Sequence, residues 1–240
     1  MAFDRRTVIE RAGAAAPAAD VDEGLRAYML KIYNYMCLGL GVTGAVAFFT
    51  ASSETMLQAI YGTPLAWVVM LSPLAFILVL SFGINKLSVG AAQALFWTFA
   101  TVMGLSMASI FIIYTGASIA KVFFITAALF ASMSLYGYTT KRSLASWGSF
   151  LFMGLIGVII AMVVNMFLAS SALEFAISVI GVLVFTGLTA YDTQRLKMMY
   201  YQTGDGTAVA EKGAIMGALS LYLNFINMFM MLLHLFGSRE

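Results

Sequence analysis

Residues 219–237 read LSLYLNFINMFMMLLHLFG. The stretch is apolar enough to cross a bilayer, yet Asn224, Asn227 and His234 interrupt it, and each of those side chains is costly in hydrocarbon. Extending the reading back to Gly213 resolves the conflict. Gly213, Gly217, Ser220, Asn224, Asn227, Met231 and His234 follow one another at alternating steps of four and three residues, which places them on one stripe of a helix. Ile215, Leu219, Tyr222, Ile226, Phe229 and Leu233 form an apolar stripe on the other side. At about 1.5 Å per residue the polar stripe covers roughly 30 Å, about the thickness of the hydrocarbon. This helix is therefore expected to face protein or a water-filled path along its whole length. Two readings stay open: interhelical hydrogen bonding by the Asn residues, with glycines allowing close approach, or a pathway lined by Ser220, Asn224, Asn227 and His234. His234, near the outer end, reads as an interfacial residue or a ligand.

The rest of the chain belongs in a bilayer too. Of its 240 residues 62% are hydrophobic and 10% charged, and the mean hydropathy is +0.93, leaving too little polar surface to coat a soluble globule. A net charge of +2 without a basic tract interleaved with aromatics argues against nucleic acid as a partner. Cys37 is the single cysteine, so no intramolecular disulfide can form, and it reads as a small apolar residue.

Seven stretches have the length and hydrophobicity of a span, near 30–52, 65–84, 92–114, 118–138, 146–168, 174–194 and 213–236. Short polar breaks such as INKLS, YTGAS and TTKRS separate most of them, which makes neighbouring helices antiparallel. Arg5, Arg6, Arg11, Arg26 and Lys31 precede or open the first span. Lys86, Lys141, Arg142, Arg195, Lys197 and Lys212 fall in alternate loops, leaving only Lys121 and Arg239 opposite. Because cytoplasmic loops retain Lys and Arg, the N-terminus is expected inside and the C-terminus outside. Residues 1–26 lack the apolar core of a signal peptide and are expected to form a cytoplasmic tail, disordered or a frayed helix, ahead of a single transmembrane domain over 27–240. Ala100, Gly104 and Ala108 in the third span, and Gly157 with Ala161 in the fifth, read as packing seams. Asn165 in the fifth reads as an interhelical amide.

Sorting the acids by position isolates one of them. Ten of the eleven lie in the tail, the loops or at the C-terminus, and only Asp192 lies within a span, in TGLTAYDTQRLK. It sits about one turn above Arg195 and Lys197, which are expected to anchor the sixth helix at the inner surface. Asp192 can pair with Arg195, three residues on and on the same face. It can also act as a proton or cation site, the default hypothesis for an ionisable group inside a span. The two roles are compatible.

Four stretches together carry a resemblance: GLSMASIFIIYT, YGYTTKRSLASWGSFLFMGLIGVII, FTGLTAYDTQRLK and GALSLYLNFINMFMMLLHLFG. Over residues 27–238 the chain resembles the bacterial branch of the Bax inhibitor-1 family, most specifically in YDTQ followed by a last helix of LYLxFIN type. The resemblance implies an all-α integral membrane protein of seven helices, the last central among the other six, located in the bacterial inner membrane. It also implies a pH-sensitive calcium leak, in which an aspartate on the sixth helix and another on the seventh share a proton and gate the path. Asp192 matches the first position. Asn224 stands at the second. Two close carboxylates cannot easily both ionise, which makes a proton-linked switch; with Asn224 the pair has one titratable member. Calcium prefers several oxygens, normally more than one carboxylate, so a site at Asp192 is expected to bind it weakly. The resemblance alone leaves the register between Asp192 and Asn224 open. A separation of about 3 Å would put them in one hydrogen bond.

Three classes of function follow. The leading one is a passive, pH-modulated cation pathway with calcium as transported ion and no cofactor. The second is a regulator of another membrane protein, such as a membrane-bound protease, acting through the N-terminal tail, a role the resemblance allows. An enzyme is not expected: an aspartyl mechanism needs two carboxylates in the membrane, and a serine mechanism would rely on His234, the only histidine, at the outer edge.

Overall fold

The computed structural model describes residues 5–203 and 207–239, with side chains described from residue 23 onward. Of the expected tail over 1–26, residues 1–4 lie outside the described residues, and from Arg5 the backbone is helical and continuous with the first span. Helix is the regular element throughout the described residues, in the order α1 (Arg5–Ala51), α2 (Glu54–Tyr61), α3 (Leu65–Gly83), α4 (Val89–Met107), α5 (Ile110–Ile113), α6 (Gly116–Thr139), α7 (Ala145–Leu168), α8 (Ser171–Thr203) and α9 (Ala208–Phe236). Among them seven helices are long and apolar enough to cross a membrane, α4 and α5 counting as one from Val89 to Ile113. Each expected span has its counterpart. The sixth and seventh are longer than their apolar cores suggest, reaching Thr203 and starting at Ala208 instead of near 194 and 213.

Side-chain oxygens start several of these helices where the sequence breaks. Ser88, Thr115 and Thr207 each accept the backbone N–H three residues on, at 3.1–3.3 Å, closing a donor that a helix leaves open at its start. The stretch from Glu54 to Tyr61, taken from sequence as part of a loop, is the helix α2, capped by Ser53. Its Tyr61 hydroxyl donates to the carbonyls of Leu105 at 2.7 Å and Ser106 at 3.2 Å. Those carbonyls lie just before the break between α4 and α5, so α2 supplies the donor that the interrupted ladder lacks.

α9 is the most buried of the spans. Within its most apolar stretch 72% is enclosed, against 11–39% for the others, and it packs against α1, α4, α6 and α8. Its two stripes face different neighbours. Tyr222, on the apolar stripe, meets Phe96 and Phe99 of α4 edge-on and donates to Thr43 Oγ1 of α1 at 2.6 Å, since the Thr43 hydroxyl hydrogen is already committed to the Ala100 carbonyl at 2.8 Å. The polar stripe faces α8 in antiparallel register. A Cβ on Gly213 would meet Met199 at 3.1 Å and one on Gly217 would meet Leu196 at 2.6 Å, while Met231 packs on Gly181. Both ends of α9 are tied: Glu211 pairs with Lys31 of α1, and Ser238 bonds Thr115 and Ser118 ahead of and within α6.

Two sequence readings need correction. The Gly104 seam is real, since a Cβ there would lie 2.7 Å from the Thr43 carbonyl of α1, but Gly157 has nothing within 4 Å and is no packing seam. α7 instead meets α8 through Gly148 and Gly154, against Tyr191 and Val184. Asn165 is no interhelical amide: its Oδ1 accepts the Ser170 backbone N–H at 3.0 Å, closing the end of α7, where Ala169 is left-handed at φ 47°.

Candidate functional site

The residues that sequence reading singled out meet at one point of the α8–α9 seam. Asp192 on α8 is 5% exposed, as is Asn224 on α9. One carboxylate oxygen, Oδ2, accepts from Ser220 Oγ at 2.7 Å and from Asn224 Nδ2 at 2.8 Å. The other, Oδ1, lies 3.2 Å from Arg195 Nη2, one turn along α8. Ser220 and Asn224 are themselves one turn apart on α9, so a single carboxylate bridges two successive positions of the polar stripe. The orientation of the Asn224 amide follows from its partner, because a carboxylate paired with Arg195 only accepts. Three donors from two helices converge on one acid.

The helices reach this register because α8 and α9 both continue beyond their apolar cores. With α9 starting at Ala208, the Asn224 backbone lies about 24 Å along the helix, and Asp192 about 16 Å back from the end of α8 at Thr203. Both extensions lie at the same end of the pair. Asp192 is level with Ser220, about 18 Å along α9, and reaches Asn224 one turn further on.

Other members of the stripe are elsewhere. Asn227 donates to the Leu223 carbonyl of its own helix at 2.8 Å. His234 is exposed at the far end of α9, beside a pocket of about 210 Å³ lined also by Asn165, Glu174 and Ser178. Glu174 there is 3.8 Å from Arg239. Neither residue joins the Asp192 cluster.

A hydroxyl relay beside the cluster is absent from the sequence reading. Thr193 donates to the Thr189 carbonyl at 2.8 Å, which leaves its oxygen to accept from Ser134 of α6 at 3.0 Å; Ser134 in turn accepts from Tyr33 of α1 at 2.5 Å. The helices α6 and α8 come this close at Gly137, where a Cβ would lie 2.2 Å from the Ala190 carbonyl. Gly137 in GYTTKR was a visible signal for close approach; its partner was not. Gln194 adds a further tie, accepting from the Leu144 N–H at 2.7 Å and donating to the Arg142 carbonyl at 2.9 Å.

Chemically, the cluster offers a cation one carboxylate, one hydroxyl and one amide oxygen. Among the described residues no three His, Cys, Asp or Glu side chains come together. Calcium takes about six to eight oxygens, so occupancy of this site would draw on backbone carbonyls or water and on release of the Arg195 pair.

Comparison with known proteins extends over nearly the whole chain. The family described as inhibitor of apoptosis-promoting Bax1 matches residues 25–240. A protein of Rickettsia prowazekii is 49% identical over 219 residues, covering 91% of this chain and 92% of its own. One of Caulobacter vibrioides is 48% identical over 229 residues, 92% of each chain. The inner membrane protein YbhL of Escherichia coli K12 is 48% identical over 220 residues, 90% of this chain and 94% of its own.

Proposed function

The chain belongs to the Bax inhibitor-1 family, and from that premise we propose that it is a multi-pass inner-membrane protein providing a passive, pH-modulated pathway for calcium. YbhL, described as an inner membrane protein, supports the location; the bias of Lys and Arg supports an inside N-terminus and outside C-terminus. The burial of α9 and its four packed neighbours support a bundle built around the last helix. The observation that carries the reading is the Asp192 cluster, a single carboxylate 5% exposed within a span and held from α8 and α9 at once. An ionisable group in that position is expensive in lipid and retained for a task.

Asp192 is the titrating group in this proposal, and Arg195 and Asn224 hold it in the resting arrangement. Passage requires the two hydrogen bonds from α9 to part, which exposes the carboxylate to an entering cation. Protonation of Asp192 removes the anion that Arg195 and the cation compete for. The chain has no role here as an enzyme.

The test is calcium flux into liposomes carrying the purified full chain, across pH 6 to 8. Flux above empty liposomes that falls on Asp192→Ala supports the proposal. Flux indistinguishable from empty liposomes at every pH removes it.

A further inference from the structure

Between α1 and α6 a cleft of about 980 Å³ opens on the outside of the bundle, floored by Phe225 of α9. A second space of about 390 Å³ continues it, sharing Leu40, Gly44, Phe123 and Phe225. Along α1 the first cleft runs from Arg26 to Ala45, about 28 Å of helix and nearly the thickness of the hydrocarbon. Two glycines of α1 form part of its wall. A Cβ on Gly41 or Gly44 would meet nothing within 4 Å, so neither glycine is there to let helices touch. Gly inside a helix is destabilising relative to Ala, and here what it provides is open space.

The cleft is polar at one end only. Arg26 lies at its mouth, exposed and without an ion pair to a described residue. Tyr138 of α6 lines the same end, and Lys197 donates to its carbonyl at 2.9 Å with the ammonium 5.1 Å from its ring centre. Lys141 and Arg142 follow in the next turn of chain. Asp22 and Glu23, about one turn before Arg26, and Asp20 are the acids nearby in sequence, against Arg26, Lys141, Arg142 and Lys197. The Tyr33 and Ser134 hydroxyls are engaged with one another. From Met36 onward the lining is apolar: Leu40, Phe123, Ala127, Phe130 and Phe225.

We propose that this cleft binds one acyl chain of an anionic phospholipid from the leaflet on the Arg26 side, its phosphate held by Arg26 at the mouth. The charge complementarity selects the occupant: a chain with a negative group at one end matches a cleft with cations at one end and hydrocarbon along the rest. This inference stands apart from whether the protein conducts ions.

The experiment is native mass spectrometry of the full chain, delipidated in detergent and titrated with phosphatidylglycerol or phosphatidylcholine of identical dioleoyl chains. Wild type should retain one phosphatidylglycerol in preference to phosphatidylcholine. A cation near a membrane surface contributes about 1 kcal/mol toward anionic lipid, so Arg26→Gln should lower that preference about fivefold. Gly44→Phe and, independently, Gly41→Phe fill the cleft and should abolish retention of both lipids. Gly157→Phe, on the open face of α7, is the control and should retain phosphatidylglycerol as wild type does. Retention unchanged in both cleft variants, equal retention of the two lipids by wild type, or loss in the control as well would each overturn the proposal. So would a wild-type dimer that lipid does not dissociate and Gly44→Phe does, since the occupant would then be a second copy of the chain.

Discussion

Replacing Asn224 with Asp puts a second carboxylate where an amide now donates to Asp192 at 2.8 Å. Two unit charges 3–4 Å apart repel by about 4–6 kcal/mol at an effective dielectric near 20, about a thousandfold or more in the proton's equilibrium constant. Arg195, 3.2 Å from the other oxygen of Asp192 but half-exposed, offsets only part of that. The variant should therefore hold one proton between the two acids near neutral pH, and that proton restores the hydrogen bond the amide makes in wild type. As pH rises the shared proton leaves, the two anions repel, α8 and α9 lose their tie, and two carboxylates become available to calcium. Flux in liposomes should rise with pH from 6 to 8 more steeply for Asn224→Asp than for wild type, measured with a calcium dye at matched protein density. A profile superimposable on wild type would refute the reasoning, because residues in one hydrogen bond cannot exchange an amide for an acid without a change in proton uptake.

Three further outcomes are expected. Asp192→Ala leaves the Ser220, Asn224 and Arg195 donors without their acceptor, at about 1–3 kcal/mol, and should lower the melting temperature in detergent by about 2–12 °C. Gly137→Leu forces a side chain onto the Ala190 carbonyl and should destabilise by about 1–3 kcal/mol or more, whereas Gly157→Ala meets nothing and should raise the melting temperature slightly. Deleting residues 2–25 should leave liposome flux intact if the pathway lies in the helices; a cellular phenotype lost with flux preserved would instead favour the tail as a docking segment for another membrane protein.

The seven spans were legible because each needs about 20 apolar residues, a signal strong enough to survive without any knowledge of contacts. The face of α9 that meets α8 was legible for a second reason: Gly213, Gly217, Ser220 and Asn224 repeat at helical spacing, and small residues with amides have few uses in lipid other than close packing. Asp192 stood out as the one acid within a span. What sequence could not supply was pairing across helices. Nothing in the run of residues tells Asn227, which bonds its own helix, from Asn224, which bonds another, because both lie on the same stripe. Ser134 and Tyr33 look like ordinary polar residues in apolar helices until α6 and α8 close at Gly137. The seam assigned to Gly157 failed because spacing alone does not say whether a helix faces protein or lipid.

Asn224 has a reading of its own in terms of charge. With Asp192 ionised beside Arg195, and with Ser220 and Asn224 uncharged, the charges of the cluster cancel without a bound proton. An acid at position 224 would leave one uncompensated negative charge in a poorly solvated place, which only a proton or a cation can cancel. With an amide there, the tie between α8 and α9 is kept by hydrogen bonds from groups that do not titrate, and in the proposed pathway pH acts on the site through one carboxylate alone. In that proposal the exchange of one oxygen for one nitrogen moves the control from a proton shared between two helices, as the family resemblance implies, to an ion pair within α8.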